Sequence, residues 1–229
     1  MIPLRDSTKA ENFPIVNVSL ILINVVVFFY QLSLPQEELT LLIYNFGVIP
    51  QVYTTNFLPA LFLNEPLWVI PLFSSMFLHG SPLHIIGNML YLWVFGDNIE
   101  DKLGKLKYIF FYLSVGFIGN LAHIITNPTS TVPTIGASGA IAGVLGAYFL
   151  AFPKAKVLAL VPIGFFITIA RVPALLFLVL WFVLQLLSGL TAFGAGQMVA
   201  WWAHIGGFVG GATFWFILRP ESMRNSLKN

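Results

Sequence analysis

Six stretches of this chain each run for about twenty residues without a single Asp, Glu, Lys or Arg, the length an α-helix needs to cross the hydrocarbon core of a bilayer. They cover about residues 13–34, 72–95, 108–126, 135–152, 174–190 and 199–218. In lipid no water satisfies the backbone N–H and C=O groups, so such runs have to become helices. The expectation is an all-α, polytopic membrane protein, one six-helix bundle over residues 1–229 with a short tail at each end and the lipid bilayer as its solvent. Composition agrees. Only 9% of the 229 residues are charged, against about 25% in an ordinary soluble domain. The net charge of +2 comes without a basic cluster interleaved with aromatics, so no nucleic-acid partner is expected. With no cysteine there is no disulfide, thiolate metal site or thiol nucleophile.

Charge also orients the chain. One apolar segment, 157–170, is short and carries Pro162 and Gly164, and reads either as a seventh span or as a loop in the interface. With six spans and a cytoplasmic N-terminus, all eleven Lys and Arg residues fall inside, and the outer loops, about 35–71, 127–134 and 191–198, hold none. A seventh span would move Arg171, Arg219, Arg224 and Lys228 outside, which the positive-inside rule disfavours. Both termini are therefore expected in the cytoplasm. The first twelve residues mix Arg5, Asp6, Lys9 and Glu11, unlike a transit peptide, and no small-residue cleavage site follows. A retained first span in a prokaryotic plasma membrane is the simplest expectation. The long first outer loop is apolar, and Phe57–Leu63 and Leu67–Ile70 read as short interfacial helices or as loop packed on the bundle.

Polar residues stand out in so apolar a bundle, because burying them unpaired is costly. All nine acidic residues are expected in loops or tails, which argues against a proton-relay transporter and leaves no buried acid to complete a triad. Gly136-Ala137-Ser138-Gly139 opens the fourth span. A serine there can simply cap the helix, yet glycines on both sides let a substrate backbone come close, and a helix N-terminus favours negative charge. Early in the sixth span stands Ala203-His204-Ile205-Gly206-Gly207, with Gly211 four residues on. His204, Gly207 and Gly211 share one helical face, and small residues at that spacing let helices pack closely. Gly139 and Gly143 repeat it on the fourth span, so the two spans are expected to touch with Ser138 and His204 at the contact. In the second span His84 and Asn88 lie four apart on one face, two donors suited to a developing oxyanion or to a clamp between helices. All three groups are expected near the outer surface. His79 reads as a capping or loop residue and His123 as structural. The four histidines lack the carboxylate or tight spacing of catalytic zinc, so no metal is expected.

These motifs, in this order, resemble the rhomboid family of intramembrane serine proteases. The stretches that carry the likeness are FLHGSPLHIIGNMLYLWVFG (77–96), IGASGAIAGVLGAY (135–148), PALLFLVLWFVLQ (173–185) and AHIGGFVGG (203–211). The resemblance implies a rhomboid-like fold, a dyad with Ser138 as nucleophile and His204 as base, and no cofactor. It also implies an oxyanion hole made by His84, Asn88 and the backbone N–H of Ser138. The partners it implies are transmembrane protein substrates, cut near their outer ends where the helix unwinds, with the fifth span or the loop after it moving to admit them. Two positions depart from the family pattern. The aromatic residue that often stands four after the serine is Ala142 here, so another group, expected to be an aromatic from a neighbouring span, must orient His204. The Trp-Arg pair fourteen residues before the histidine of the second span is Ile70-Pro71, with Trp68 nearby. A catalytically silent relative that binds membrane clients is the alternative reading, although such relatives have typically lost the serine or the histidine.

Overall fold

The computed structural model describes residues 1–55, 68–164, 166–191 and 199–220. Helices form over all six apolar runs: α1 (Ile15–Ser33), α4 (Pro82–Leu103), α5 (Lys105–Thr126), α6 (Ser138–Ala151), α7 (Ala174–Thr191) and α8 (Trp201–Leu218), with α2 (Gln36–Phe46) and the short α3 (Ile70–Ser74) between the first two. Among the described residues α1, α5 and α7 are long and apolar enough to cross a membrane, and α6 is apolar but shorter. The segment Phe57–Leu63 lies outside the described residues; of Leu67–Ile70, residues 68–70 are described and lead into α3, which starts at Ile70.

The second apolar run is not one helix from residue 72. Its first part is α3 and a 3₁₀ turn, Ser75–Phe77. The long helix begins only after Ser81, whose hydroxyl accepts the His84 N–H at 3.2 Å, with Pro82 at the first helical position. Serine cap and following proline are a strong start signal, because the proline lacks only an N–H that would have no helical partner there. The start at Pro82 puts His84 and Asn88 in the first two turns.

Helix α6 is buried on every side from Gly139 to Tyr148 and packs against α4, α5 and α8. The tightest approach is to α8. A Cβ on Gly207 would overlap the Gly139 carbonyl, and one on Gly211 would overlap the Gly143 carbonyl. Gly139 differs: a Cβ there would sit 3.6 Å from the Ala203 oxygen, an ordinary contact.

The expectation of an all-helical chain needs one addition. Residues 157–170 form neither a seventh span nor an interfacial loop, but most of an antiparallel hairpin, β2 (Lys156–Ile163) and β3 (Phe166–Pro173). The N-terminal strand β1 (Ile2–Asp6) pairs with β2 and completes a three-stranded sheet in the order β1-β2-β3. Pro162 sits in the middle strand without harm because β1 starts at Ile2, opposite Leu160, so no β1 residue pairs with Pro162 and waits for its missing N–H.

The carboxylates Asp97, Glu100 and Asp101, expected in a loop, lie in the last turns of α4. Glu100 is 3% exposed. It accepts the backbone N–H groups of Val16 at 3.1 Å and Asn17 at 2.7 Å, while Asp101 accepts those of Glu11 and Asn12. Helix α1 follows Pro14 and has no side-chain cap of its own, so α4 supplies one, with negative charge where the helix dipole favours it.

Candidate active site

Ser138 is the first residue of α6, and its hydroxyl caps nothing. Ser138 Oγ lies 2.7 Å from His204 Nε2. His204 is in the first turn of α8 and buried. The glycine contacts between α6 and α8 bring the two helix starts together, and a larger residue at Gly207 would part them.

The ring of His204 is held on three sides. Gln185 Oε1, from α7, lies 2.7 Å from Nδ1. Trp181, also on α7, leans over the ring at a centroid distance of 6.0 Å, and Trp201 meets it edge-on at 6.0 Å. The aromatic neighbour expected in place of Ala142 is present, together with an amide that was not anticipated. A signal for that amide exists in the sequence: an amide within so apolar a run is costly unless paired.

The opposite wall carries His84 and Asn88. The Gly80 N–H donates to His84 Nδ1 at 3.4 Å, so the ring proton sits on Nε2. That edge faces Gly136: a Cβ there would come within 2.7 Å of His84 Cε1 and Nε2 and 3.7 Å of Asn88 Nδ2. Gly136 also has φ of +127°, a conformation that L side chains rarely adopt. Glycine is required twice over, by backbone and by space.

Asn88 Nδ2 lies 2.9 Å from His79 Nε2. Since the amide nitrogen can only donate, one of its two N–H groups goes to His79 and the other remains for the cavity. His79 is in turn fixed by α1, its N–H donating to Gln31 Oε1 at 3.0 Å and its carbonyl accepting from Gln31 Nε2 at 3.2 Å. His79 and Gln31 are thus part of the construction behind Asn88, a role the sequence does not announce. His123 lines the same cavity and pairs with Asn127 Nδ2 at 3.2 Å.

Ser138, His204, Gln185, His84, Asn88 and His123 border one cavity of about 1070 Å³, which also reaches Ile141, Leu145 and the 126–135 loop, while His79 and Gln31 stand behind its lining. Ser138 and Gly139, in the first turn of α6, line the cavity together with His84 and Asn88, and the first N–H groups of a helix have no partner within it. A hydroxyl beside a basic nitrogen, with neutral donors opposite and no carboxylate among the described residues in contact with them, is equipped for acyl transfer.

Residues 66–221 match the Rhomboid domain. The chain belongs to the rhomboid family. The match takes in His79, His84, Asn88, Ser138, Gln185 and His204, and leaves β1, α1 and α2 outside it. This rhomboid is 32% identical over 152 residues to RHOMBOID-like protein 5 of Arabidopsis thaliana, covering 66% of this chain and 45% of that one. It is 35% identical over 97 residues to Presenilin-associated rhomboid-like protein A, mitochondrial, of Danio rerio, 41% of this chain and 25% of that one. It is 34% identical over 96 residues to Rhomboid protein 1, mitochondrial, of Saccharomyces cerevisiae, 40% of this chain and 28% of that one. The alignments span between a quarter and a half of these relatives. With its family and its apolar helices, the protein is a mostly helical membrane protein.

Proposed function

We propose that this rhomboid is a serine endopeptidase that hydrolyses peptide bonds in or near transmembrane segments of membrane-protein substrates. One observation carries the reading: the 2.7 Å approach of Ser138 Oγ to His204 Nε2 in a cavity whose facing wall presents His84 and Asn88. Ser138 Oγ attacks the scissile carbonyl carbon while its proton passes to His204 Nε2. The carbonyl oxygen becomes an oxyanion that accepts from His84, Asn88 and the Ser138 N–H. His204 then gives the proton to the departing amine, leaving an acyl-serine. A water, deprotonated by His204, attacks that ester, and collapse returns the proton to Ser138 and frees the new carboxyl end. The substrate must first unwind, because a helix occupies its own carbonyls with hydrogen bonds.

Under this reading residues 1–229 act as one membrane-embedded unit, with no metal or cofactor in the chemistry. The distribution of Lys and Arg supports a plasma membrane with both termini in the cytoplasm and the site near the outer face. The test is cleavage of a transmembrane substrate in proteoliposomes. Ser138→Ala is expected to lose all cleavage while unfolding at the wild-type temperature, and a fluorophosphonate is expected to label wild type only. Cleavage that survives Ser138→Ala ends the proposal. Substrate binding without labelling or cleavage favours a client-binding protein instead.

A further inference from the structure

We infer that Gln185 is a positioning residue whose amide oxygen accepts the Nδ1–H of His204, holding the imidazole in the tautomer whose Nε2 lone pair faces Ser138. The inference rests on the proteolytic reading for its consequence, but not for its geometry.

The geometry comes from one contact and what surrounds it. Gln185 Oε1 is 2.7 Å from His204 Nδ1, on the far side of the ring from Ser138 Oγ at 2.7 Å from Nε2. Both residues are buried, 9% exposed each. A neutral imidazole has one N–H, and the partner of one nitrogen decides which carries it. An oxygen at Nδ1 fixes the proton there and frees Nε2 to take the serine proton. The reverse arrangement, an amide N–H directed at a bare Nδ1, would put the proton on Nε2 and leave nothing to accept from Ser138.

Gln185 stands alone among its neighbours. The buried residues of α7 are Ala174, Phe177, Leu178, Gln185 and Gly189, so the amide is the one hydrogen-bonding side chain among them. No carboxylate among the described residues hydrogen-bonds to His204, whose ring nitrogens meet only Gln185 and Ser138. An amide fits a site walled by Trp181 and Trp201, where an unpaired carboxylate would carry a heavy desolvation cost. It orients the base through a dipole where an acid would use a charge.

The test uses the full chain in micelles, with ¹⁵N-labelled histidine and His204→Ala to assign the signals. In wild type, His204 Nδ1 is expected to resonate as a protonated nitrogen and Nε2 as a bare one. Gln185→Met, which keeps length and loses the acceptor, is expected to mix the tautomers. Its kcat should fall about tenfold at unchanged KM, the kinetic worth of one neutral hydrogen bond. Fluorophosphonate labelling of Ser138 should slow by the same factor. Gln185→Glu restores an acceptor, so it should recover the Nδ1–H signal and move the acid limb of kcat/KM to higher pH, since a carboxylate favours the imidazolium. A wild-type spectrum with the proton on Nε2 overturns the inference, as does Gln185→Met with unaltered spectrum and labelling. Wild type with the Nδ1–H tautomer that neither labels nor cleaves supports the hydrogen bond and overturns the proteolytic reading.

Discussion

His79 touches none of the atoms proposed to react, yet the direction of the Asn88 amide depends on it. Its Nε2 takes one Asn88 N–H at 2.9 Å, and the Gln31 amide grips its backbone from both sides. Asn88→Ala removes the donor itself and is expected to lower kcat by roughly a hundredfold or more. His79→Leu keeps the donor but lets the amide turn, so the expected loss is nearer tenfold, about one neutral hydrogen bond. Both follow from kcat on a reconstituted substrate, and equal losses would mean that His79 does more than aim Asn88. At this scale a side chain was legible where its type and spacing have a chemical use of their own. Ser138 between glycines and His84 four residues before Asn88 meet that condition. His79, Gln31 and Gln185 do not, because each acts through a partner 9, 48 or 19 residues away in the chain, and no local pattern records such a pairing.

Among the elements, α6 and α8 fix the site by how near they come. Carbonyl oxygens of Gly139 and Gly143 lie where side chains at Gly207 and Gly211 would begin. Backbone cannot swing aside as a flexible side chain can, so Gly211→Val has to push the helices apart. The expected cost is roughly 1–3 kcal/mol, read as a lower unfolding temperature in micelles. Gly139→Ala meets only the ordinary contact with the Ala203 oxygen and is expected to unfold within ~0.5 kcal/mol of wild type. A result in which both substitutions cost the same would place the close approach elsewhere. The helices themselves were readable because a charge-free run of about twenty residues has few other fates. The hairpin was not. Residues 157–170 are as apolar as a span, and what separates the outcomes is the paired strand Ile2–Asp6, some 150 residues away. The Lys and Arg distribution argues against a span, and length, Pro162 and Gly164 leave span and loop both open, without indicating a sheet.

At the scale of the whole molecule, the N-terminal strand ties the sheet to the end of the bundle away from Ser138. Tyr148, about three turns along α6 from the serine, donates to Asp6 Oδ2, as does Asn98 of α4 at 3.1 Å, and the Tyr148 hydroxyl also meets Thr8 Oγ1 at 3.0 Å. Burial raises the Asp6 carboxyl above its ordinary 3.8, outweighing the hydrogen bonds from Tyr148 and Thr8. This reverses the usual case for an aspartate, so the sign of its effect reverses too. Well below 3.8 both folded and unfolded chains hold the proton, and Asp6 adds no pH dependence. As pH rises from there, the unfolded chain releases its proton first, and the folded protein loses stability until its own carboxyl ionises. Asp6→Asn cannot ionise, and its amide oxygen still accepts from Tyr148. The variant's unfolding temperature in micelles should therefore climb relative to wild type between acid and neutral pH, with titrating groups away from Asp6 cancelling in the difference and Asp97, relieved of the Asp6 charge, adding to the climb. A difference that stays flat or falls over that range would mean that the hydrogen bonds at Asp6, and not its burial, decide its ionisation.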